Sequence, residues 1–278
     1  MKKATILSVV FILVGSIIFA VAMSMSKWDF KKLSTVNYQT NEHFLTESFD
    51  SVEISTKTAN INFVITEDST AKVVCYEEKD LKHSVTVSGG VLSIKVEDNR
   101  NFLKFLRVDF NSPKITVYLP SKDYANLKVN ASTANVLVEN AKFSDIDISV
   151  STGDVTVKNQ ALSGNLSVKV STGETSVENV TCKNLFTKGS TGEVFLKNVI
   201  AEQKITVERS TGDIEFDGID GSEIFIETST GDVVGSVLSD KIFTIETSTG
   251  RKSAPNTTSG GICKITTSTG DAIVTIKN

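Results

Sequence analysis

The sequence predicts an all-β chain: a single-stranded β-solenoid, or β-helix, with coils of about 19–20 residues, preceded by one N-terminal transmembrane or signal helix. Two observations predict the strands. Ser-Thr-Gly recurs seven times at steps of 19 or 20 residues, and apolar and polar residues alternate on both sides of the copies. Repeats of this length are typical of stacked architectures, and period-two alternation is typical of half-buried strands. The helix is predicted from a long apolar run near the start of the chain.

Residues 1–25 predict a signal anchor or a signal peptide. Lys2 and Lys3 precede a run of 22 residues, Ala4 to Met25, that carries no charged side chain. The run can span a bilayer and exceeds the usual apolar core of a signal peptide, so an uncleaved anchor is favoured over cleavage after Ala22. The chain is therefore predicted to be a single-pass protein of the cell membrane with an extracytoplasmic C-terminal domain, or a secreted protein if it is cleaved after Ala22.

The next two regions are less regular. Residues 26–47 are polar with a few aromatics and are predicted to form a stalk or linker. Residues 48–120 are rich in alternating apolar residues and are predicted to form irregular N-terminal β coils and a cap, because terminal repeats of a stack must protect an open edge. Within them, Gly89-Gly90 predicts a hairpin and residues 113–120 predict a strand.

Residues 121–278 predict the regular β-solenoid repeats. The Ser-Thr-Gly copies begin at seven serines, Ser151, Ser171, Ser190, Ser210, Ser229, Ser248 and Ser268, and a degenerate copy begins at Ser132. Each copy is predicted to form a corner between two strands, where Gly supplies a positive φ. A second corner is predicted eight residues later, at Asn140, Asn159, Asn179, Asn198 and Gly218. At the Ser248 copy, a loop over residues 251–261 replaces the second strand. A leucine-rich repeat has a similar period, but its sequence pattern is absent.

The composition and motifs argue against several functions. The net charge is −4, whereas nucleic-acid binding favours a concentrated basic face, so the charge argues against nucleic acid as a partner. Cys75, Cys182 and Cys263 form neither a disulfide framework nor a zinc site, so each is expected to be buried. His43 and His83 fall outside any motif and are expected to be exposed. The sequence contains no Gly-x-Ser-x-Gly, HExxH, P-loop or Rossmann motif, and nothing in it places either histidine near a repeat serine as a base. No enzyme activity, cofactor or metal is therefore predicted.

One column of side chains could bind a ligand. The residue after each Gly is acidic in six copies, which would place carboxylates about 5 Å apart along one edge of a stack. These residues are predicted to form a stripe for cations or cationic ligands: Asp154, Glu174, Glu193, Asp213, Asp232 and Asp271. The alternative is that they solvate an exposed corner and bond nearby backbone N–H groups.

The apolar anchor, the segment SFDSVEISTKTANINF, the strand KITVYLP and the serial Ser-Thr-Gly-Asp copies carry a resemblance. Over about residues 45–278 the chain resembles the bacterial "putative adhesin" β-strand-repeat family of cell-envelope proteins, a domain of unknown function. The resemblance implies a β-solenoid ectodomain with no catalytic residues, in members that lie near envelope-stress systems.

We therefore predict a non-enzymatic, adhesin-like ectodomain of the cell envelope that binds a protein or a wall polysaccharide outside the membrane. Its other expected partner is the membrane, through the N-terminal helix. The alternative is an accessory or sensor component of an envelope stress-response system. A third candidate, a polysaccharide-cleaving β-helix enzyme, would need carboxylates clustered with basic residues, and Arg209 and Arg251 are too isolated to support it.

Overall fold

The computed structural model describes residues 2–25, 27–29, 36–98 and 111–277. Over these residues the chain is mostly β, with one helix, α1 (Lys2–Met25). Residues 30–35 of the predicted stalk and 99–110 of the predicted irregular region lie outside the described residues. The strands in chain order are β1 (Tyr38–Leu45), β2 (Ser51–Thr56), β3 (Asn60–Thr66), β4 (Ala71–Glu78), β5 (Leu81–Ser88), β6 (Val91–Asp98), β7 (Lys114–Pro120), β8 (Asp123–Thr133), β9 (Val136–Glu139), β10 (Lys142–Thr152), β11 (Val155–Ala161), β12 (Asn165–Thr172), β13 (Thr175–Thr191), β14 (Val194–Thr211), β15 (Ile214–Ile219), β16 (Glu223–Thr230), β17 (Val233–Val237), β18 (Lys241–Thr249), β19 (Lys252–Ser253), β20 (Gly261–Thr269) and β21 (Ala272–Ile276).

The helix α1 is long and apolar enough to cross a membrane. Its segment Thr5–Met25 has 21 residues and a mean hydropathy of 2.9. Most of its large apolar side chains are exposed, and Phe11 and Ile12, for example, are 66% and 67% exposed, whereas Met23 near its end is buried. A helix of this length matches the hydrocarbon thickness of a bilayer. The helix is therefore consistent with a signal anchor or a membrane span.

The repeats stack through parallel pairing, one whole repeat at a time. Ile146 in β10 pairs with Leu127 in β8 on one side and with Leu166 in β12 on the other. Because each step equals one repeat, every inward apolar residue lies beside its counterpart. The two inward rows before the corner are buried: Leu127, Ile146, Leu166, Leu185, Ile205 and Ile224, then Val129, Ile148, Val168, Thr187, Val207 and Ile226. Burial of these rows supplies the apolar contact that holds the repeats together.

Both predicted corners have the backbone conformations expected of their residues. The seven corner glycines have φ between 125° and 146°, and the four corner asparagines have φ between 51° and 57°, with Gly218 at 66°. The glycines meet a second constraint. A Cβ at Gly192 would lie 2.1 Å from the carbonyl oxygen of Gly173 in the preceding repeat. The corner therefore selects glycine both for its dihedral angles and for the close approach of a neighbouring backbone.

The chain order and the stacking order differ at both ends. Strand β20 pairs with β16 on one side and β18 on the other, and β21 pairs with β17 and β19. The repeat of Ser268 thus lies between those of Ser229 and Ser248. At the opposite end, β2 lies between β6 and β8, and β3 pairs with both β7 and β9. The first and last repeats of the chain are each one position inside the stack.

Antiparallel strands extend the N-terminal end. Strand β4 pairs with β7, β1 pairs with β4, and β5 pairs with β6 through the predicted Gly89-Gly90 hairpin. Residues 38–45, which the sequence predicted as stalk, instead form β1. The segment is polar because two of its inward positions hold Asn41 and His43, whereas the inward positions of the regular repeats hold mostly apolar residues. At the other end, the hydroxyl of Thr257 in the predicted loop donates to the backbone carbonyl of Lys241 on the outermost strand β18.

Candidate functional site

The six predicted stripe carboxylates lie in one column, in the order in which their repeats stack. The Asp154 carboxylate accepts the backbone N–H of Glu174 at 2.9 Å, and Asp213 accepts that of Asp232 at 2.8 Å. Asp232 accepts the backbone N–H of Asp271 at 2.7 Å, because the repeat of Ser268 stacks directly on that of Ser229. The structure thus brings together the residues that the sequence analysis grouped.

The aspartates and glutamates of the stripe behave differently. Each Asp carboxylate bonds the backbone of the next repeat, as the corner-solvation alternative expected, while the longer Glu174 and Glu193 make no such bond among the described residues. Burial, followed by the charges of Asp154 and Glu193, raises the pKa of Glu174. The carboxylates of Glu174 and Glu193 therefore lack the backbone hydrogen bond that the aspartates of the stripe accept. A ligand role for the stripe stays a prediction.

Arg251 closes one end of the stripe. Its Nε donates to Asp271 Oδ2 at 2.8 Å, and this ion pair lowers the pKa of the Asp271 carboxyl. In the stack Arg251 lies beyond Asp271, because its repeat is the outermost one. The carboxylates in the middle of the column, from Glu174 to Asp232, make no ion pair with any described residue.

A groove runs beside this middle part of the stripe, across the outer face of β13, β14, β15 and β17. Its volume is about 740 Å³. Phe195 and the 40%-exposed Val234 form an apolar floor, with the stripe along one wall. The opposite wall is a second column of side chains, four residues after the stripe positions and two after the floor position of Phe195: Glu178, Lys197 and Asp217. The groove therefore combines a small apolar floor with charged walls on both sides.

The groove is strongly acidic. Six carboxylates and one lysine line it: Glu174, Glu178, Asp213, Glu215, Asp217, Asp232 and Lys197. Lys158 pairs with Glu178 and Lys277 with Asp217, each at 2.8 Å. The other four carboxylates make no ion pair with any residue in the described part of the chain. A concave surface lined by one sign of charge concentrates the opposite charge, so the groove favours cationic groups.

This groove was not predicted from the sequence. The predicted stripe contains only the residue after each corner Gly, whereas Glu215 lies five residues and Glu178 and Asp217 lie seven residues after their serines. These are the outward positions of the second strand. Aligning the outward positions, as the inward ones were aligned, would have shown the clustering of carboxylates in the repeats of Ser171 and Ser210.

A second polar cluster is buried at the N-terminal end. Glu77 accepts hydrogen bonds from His83 Nδ1 at 2.7 Å and from Asn41 Nδ2 at 2.6 Å, and Thr56 Oγ1 lies 2.9 Å from His83 Nε2. The prediction that His83 is exposed is wrong, because this side chain is 6% exposed. The turn from β4 to β5 places it inward, where the carboxylate of Glu77 holds its ring.

This cluster contains reactive residue types in a closed arrangement. A hydroxyl, an imidazole and a carboxylate lie in sequence, as in a nucleophile with its base, but Thr56 is only 5% exposed. Cys75, Glu77 and His83 place possible ligand atoms within 4.8 Å of one another, yet both ring nitrogens and both carboxylate oxygens already have partners. Burial and Glu77 raise the pKa of the Cys75 thiol to about 12. The residues therefore fit a satisfied structural network better than a metal centre.

The other two cysteines are as expected. Cys182 and Cys263 are free and buried like Cys75, which confirms the prediction made for all three. Burial raises the pKa of each of these thiols to about 12. They are therefore protonated, apolar core residues.

Comparison with known proteins places the fold. The family model described as Toastrack DUF4097 matches residues 49–164 and again residues 160–278. A "putative adhesin" from Bacteroides fragilis has a similar structure, with a TM-score of 0.52, 16% identity and coverage of 86% of this chain and 96% of its own. A "putative adhesin" from Parabacteroides distasonis gives a TM-score of 0.52, 14% identity and coverage of 87% and 98%. None of the curated proteins matches the chain.

Proposed function

From the premise that this chain belongs to the Toastrack DUF4097 family, we propose that it is a non-enzymatic, adhesin-like ectodomain that binds a protein or a wall polymer outside the cell membrane. Solved structures that resemble it carry the name "putative adhesin". The proposal includes attachment to the membrane through α1, with the β-rich part on the extracytoplasmic side. Cleavage after Ala22 would instead release the same domain.

The proposed architecture is a single-stranded β-solenoid with coils of about 19–20 residues. Its support is the parallel pairing of equivalent strands, as between β12 and β13 and between β14 and β16, together with recurring corners of one backbone conformation. Such a rod presents the same outward positions again and again. Many weak contacts along a repetitive face add up to useful avidity.

The observation that carries the binding proposal is the acidic groove. Four of its carboxylates, those of Glu174, Asp213, Glu215 and Asp232, are free of ion pairs with the described residues, and the groove opens to solvent above an apolar floor. Burial, followed by the charges of Asp154 and Glu193, raises the pKa of Glu174, and a bound cationic group would relieve the repulsion between these carboxylates. The ligand we propose is therefore a polymer or protein surface that carries amino or guanidinium groups.

The non-enzymatic part of the proposal rests on accessibility. The only two histidines of the chain lie at the N-terminal end, away from the groove, and the hydroxyl next to His83 belongs to buried Thr56. A general base must reach the proton of a bound substrate. The groove has carboxylates and a lysine, which suit binding of charged groups.

The test is co-sedimentation of the full-length protein with purified cell-wall material and with solubilised envelope proteins. The variant carries Glu174→Lys and Glu215→Lys, both inside the groove. The control carries Glu47→Lys and Glu53→Lys, exposed positions outside it with the same change in net charge. We expect the groove variant to lose binding and the control to keep it. Equal binding by both variants, or no binding by the native protein, refutes the proposal.

A further inference from the structure

The aromatic residues of this chain are distributed unevenly. Its single Trp and all four tyrosines precede residue 125, and the repeats that follow contain neither type. Trp28 is 61% exposed and lies three residues after the end of α1. Tyrosine and tryptophan are enriched where a protein meets the interface between membrane and water, because one part of each side chain is apolar and the other polar.

Three of the four tyrosines share one exposed surface. It is the outward side of the sheet formed by β3, β7, β4 and β1 at the N-terminal end. We name this surface the tyrosine face and define it by six residues: Tyr38, Phe44, Val64, Lys72, Tyr76 and Tyr118. The alternation of buried and exposed residues along β4 and β7 places these side chains outward.

The register of the strands sets four of these residues in a row. Phe44 lies opposite Lys72, Lys72 opposite Tyr118, and Tyr118 opposite Val64. Phe44 is 70% exposed and Val64 is 38% exposed, although both are apolar. The Lys72 ammonium lies 5.0 Å from the centre of the Tyr118 ring and 5.7 Å from that of Phe44. The row is an aromatic strip with a cation at its centre, and the Lys72 ammonium also lies 3.8 Å from the exposed Glu42 carboxylate on the same face.

A second aromatic pair extends the strip. The rings of Tyr38 and Tyr76 stack with their centres 4.8 Å apart, and Tyr76 is 37% exposed. A cup of about 270 Å³ lies at the other side, between Phe44, Val64, Tyr118 and the turn that contains Asp68. The polar side chains of Thr40 and Glu42 lie between the stacked pair and the row. Exposed apolar side chains rimmed by polar residues mark a contact with another phase or molecule.

The position of the anchor identifies the partner. Tyr38, the first residue of the face, follows the last residue of α1 after only 12 residues, 26–37, which can reach about 40 Å when extended. Those 12 residues contain three lysines and one aspartate, so the link itself is basic. Basic residues beside a membrane segment are attracted to anionic lipid headgroups.

We propose that the tyrosine face lies on the lipid surface of the membrane that holds α1, with its rings at the headgroup level and Lys72 toward anionic headgroups. This inference rests on the membrane attachment in the proposed function. It orients the repeat stack, because the N-terminal end then contacts the bilayer and the acidic groove, which belongs to the central repeats, lies away from it. An acidic groove would be repelled by the same anionic surface, which fits this orientation.

The test uses the full-length protein in nanodiscs of phosphatidylethanolamine and phosphatidylglycerol. Because the three native cysteines are buried, a surface cysteine can be spin-labelled selectively. Labels are placed at Phe44→Cys on the face, at Lys169→Cys on an exposed outward position of β12, and at Leu13→Cys in α1. Collisions with oxygen and with a water-soluble nickel chelate report lipid and water contact.

We expect the label at position 44 to lose nickel collisions and gain oxygen collisions relative to the label at 169. Two further substitutions, Tyr76→Ser and Tyr118→Ser, should restore nickel collisions at position 44. If the label at 13 lies in lipid but the label at 44 is as exposed to water as that at 169, the lipid contact of the tyrosine face is refuted and the membrane anchor is not. A label at 13 in water overturns the anchor itself and the inference with it. Shielding at 44 without oxygen gain indicates protein contact and overturns the lipid assignment.

Discussion

Substitution of one corner glycine gives a direct measure of what the repeat motif contributes. Gly192 has φ 128°, a conformation that costs other residues about 1–3 kcal/mol. Its replacement by Ala also places a Cβ 2.1 Å from the carbonyl oxygen of Gly173. The two repeats would have to separate by about 1 Å to restore an ordinary contact, which weakens the backbone hydrogen bonds between them, from Gly173 to Thr191 and from Thr175 to Glu193. We expect Gly192→Ala to lower the free energy of unfolding by about 3–5 kcal/mol.

The assay is urea unfolding of the full-length protein in detergent, followed by far-ultraviolet circular dichroism. The matched control is Gly221→Ala. Gly221 lies outside the left-handed region, and its added Cβ would be 3.4 Å from the nearest atom, the carbonyl oxygen of Ala201. This control should change stability by no more than about 0.5 kcal/mol. If Gly192→Ala costs no more than Gly221→Ala, the corner does not require glycine and the steric argument fails.

Three further predictions concern other parts of the chain. Burial lowers the pKa of the Arg209 guanidinium to about 10, and the only hydrogen bond that this group makes to a described residue is to Thr175. Replacing Arg209 by Met should therefore raise the free energy of unfolding in urea by about 1–4 kcal/mol, and a loss of stability would refute this. Asn179→Ala should lower the melting temperature more than Asn179→Gly, because the left-handed corner costs Ala about 1–2 kcal/mol; equal values would contradict it. Although burial opposes it, hydrogen bonds from His83 and Asn41 lower the pKa of Glu77 below its ordinary value of 4.5. The stabilisation from this carboxylate should therefore be complete above about pH 5 and lost progressively as the pH falls below 4.5, and Glu77→Gln should flatten this part of the melting profile.

The corners and the core were predictable from the sequence because they depend on local demands. Gly153 and its equivalents, and Asn140 with its equivalents, sit where the backbone takes a positive φ that few other residues tolerate. The inward rows follow from alternation alone, since a side chain on a strand faces the core at every second position. Each of these signals lies within one repeat, so it can be recognised in the sequence before the contacts between repeats are known.

The acidic stripe was predictable for the same reason, and the groove was less so. The position after each corner Gly is defined by the motif, so the six carboxylates could be placed in one column. The groove depends on which outward residues of different repeats combine into one concavity. Gly235, for example, has the ring of Phe216 over it, at 2.4 Å from the place of a Cβ. This contact involves residues of two repeats, so the sequence of either repeat alone does not predict it.

The N-terminal end was predicted least well because its pairings join distant segments. Strand β1 is polar and carries no strong strand signal, but β4 supplies partners for all eight of its residues. Alternation with Leu81 and Val85 places His83 on the inward side of β5. Its partners Glu77 and Thr56 reach it only after β2, β4 and β5 have been brought together. Tertiary contacts of this kind override local propensity.

The exchange of the last two repeats follows from the same equivalence that makes the sequence regular. The copies at Ser248 and Ser268 present the same inward rows and the same corner, so strand pairing alone does not decide which of them stacks on the repeat of Ser229. The second strand decides it: β21 pairs over five residues with β17, whereas β19, within the predicted loop of residues 251–261, contributes only two residues. The better-formed repeat therefore takes the inner position, and the incomplete one becomes the end of the stack. At the C-terminal end the last strand, β21, therefore lies between β17 and β19, whereas at the other end β1 pairs with β4 alone. Chain ends fray most readily, so this order places the C-terminal strand between two neighbours.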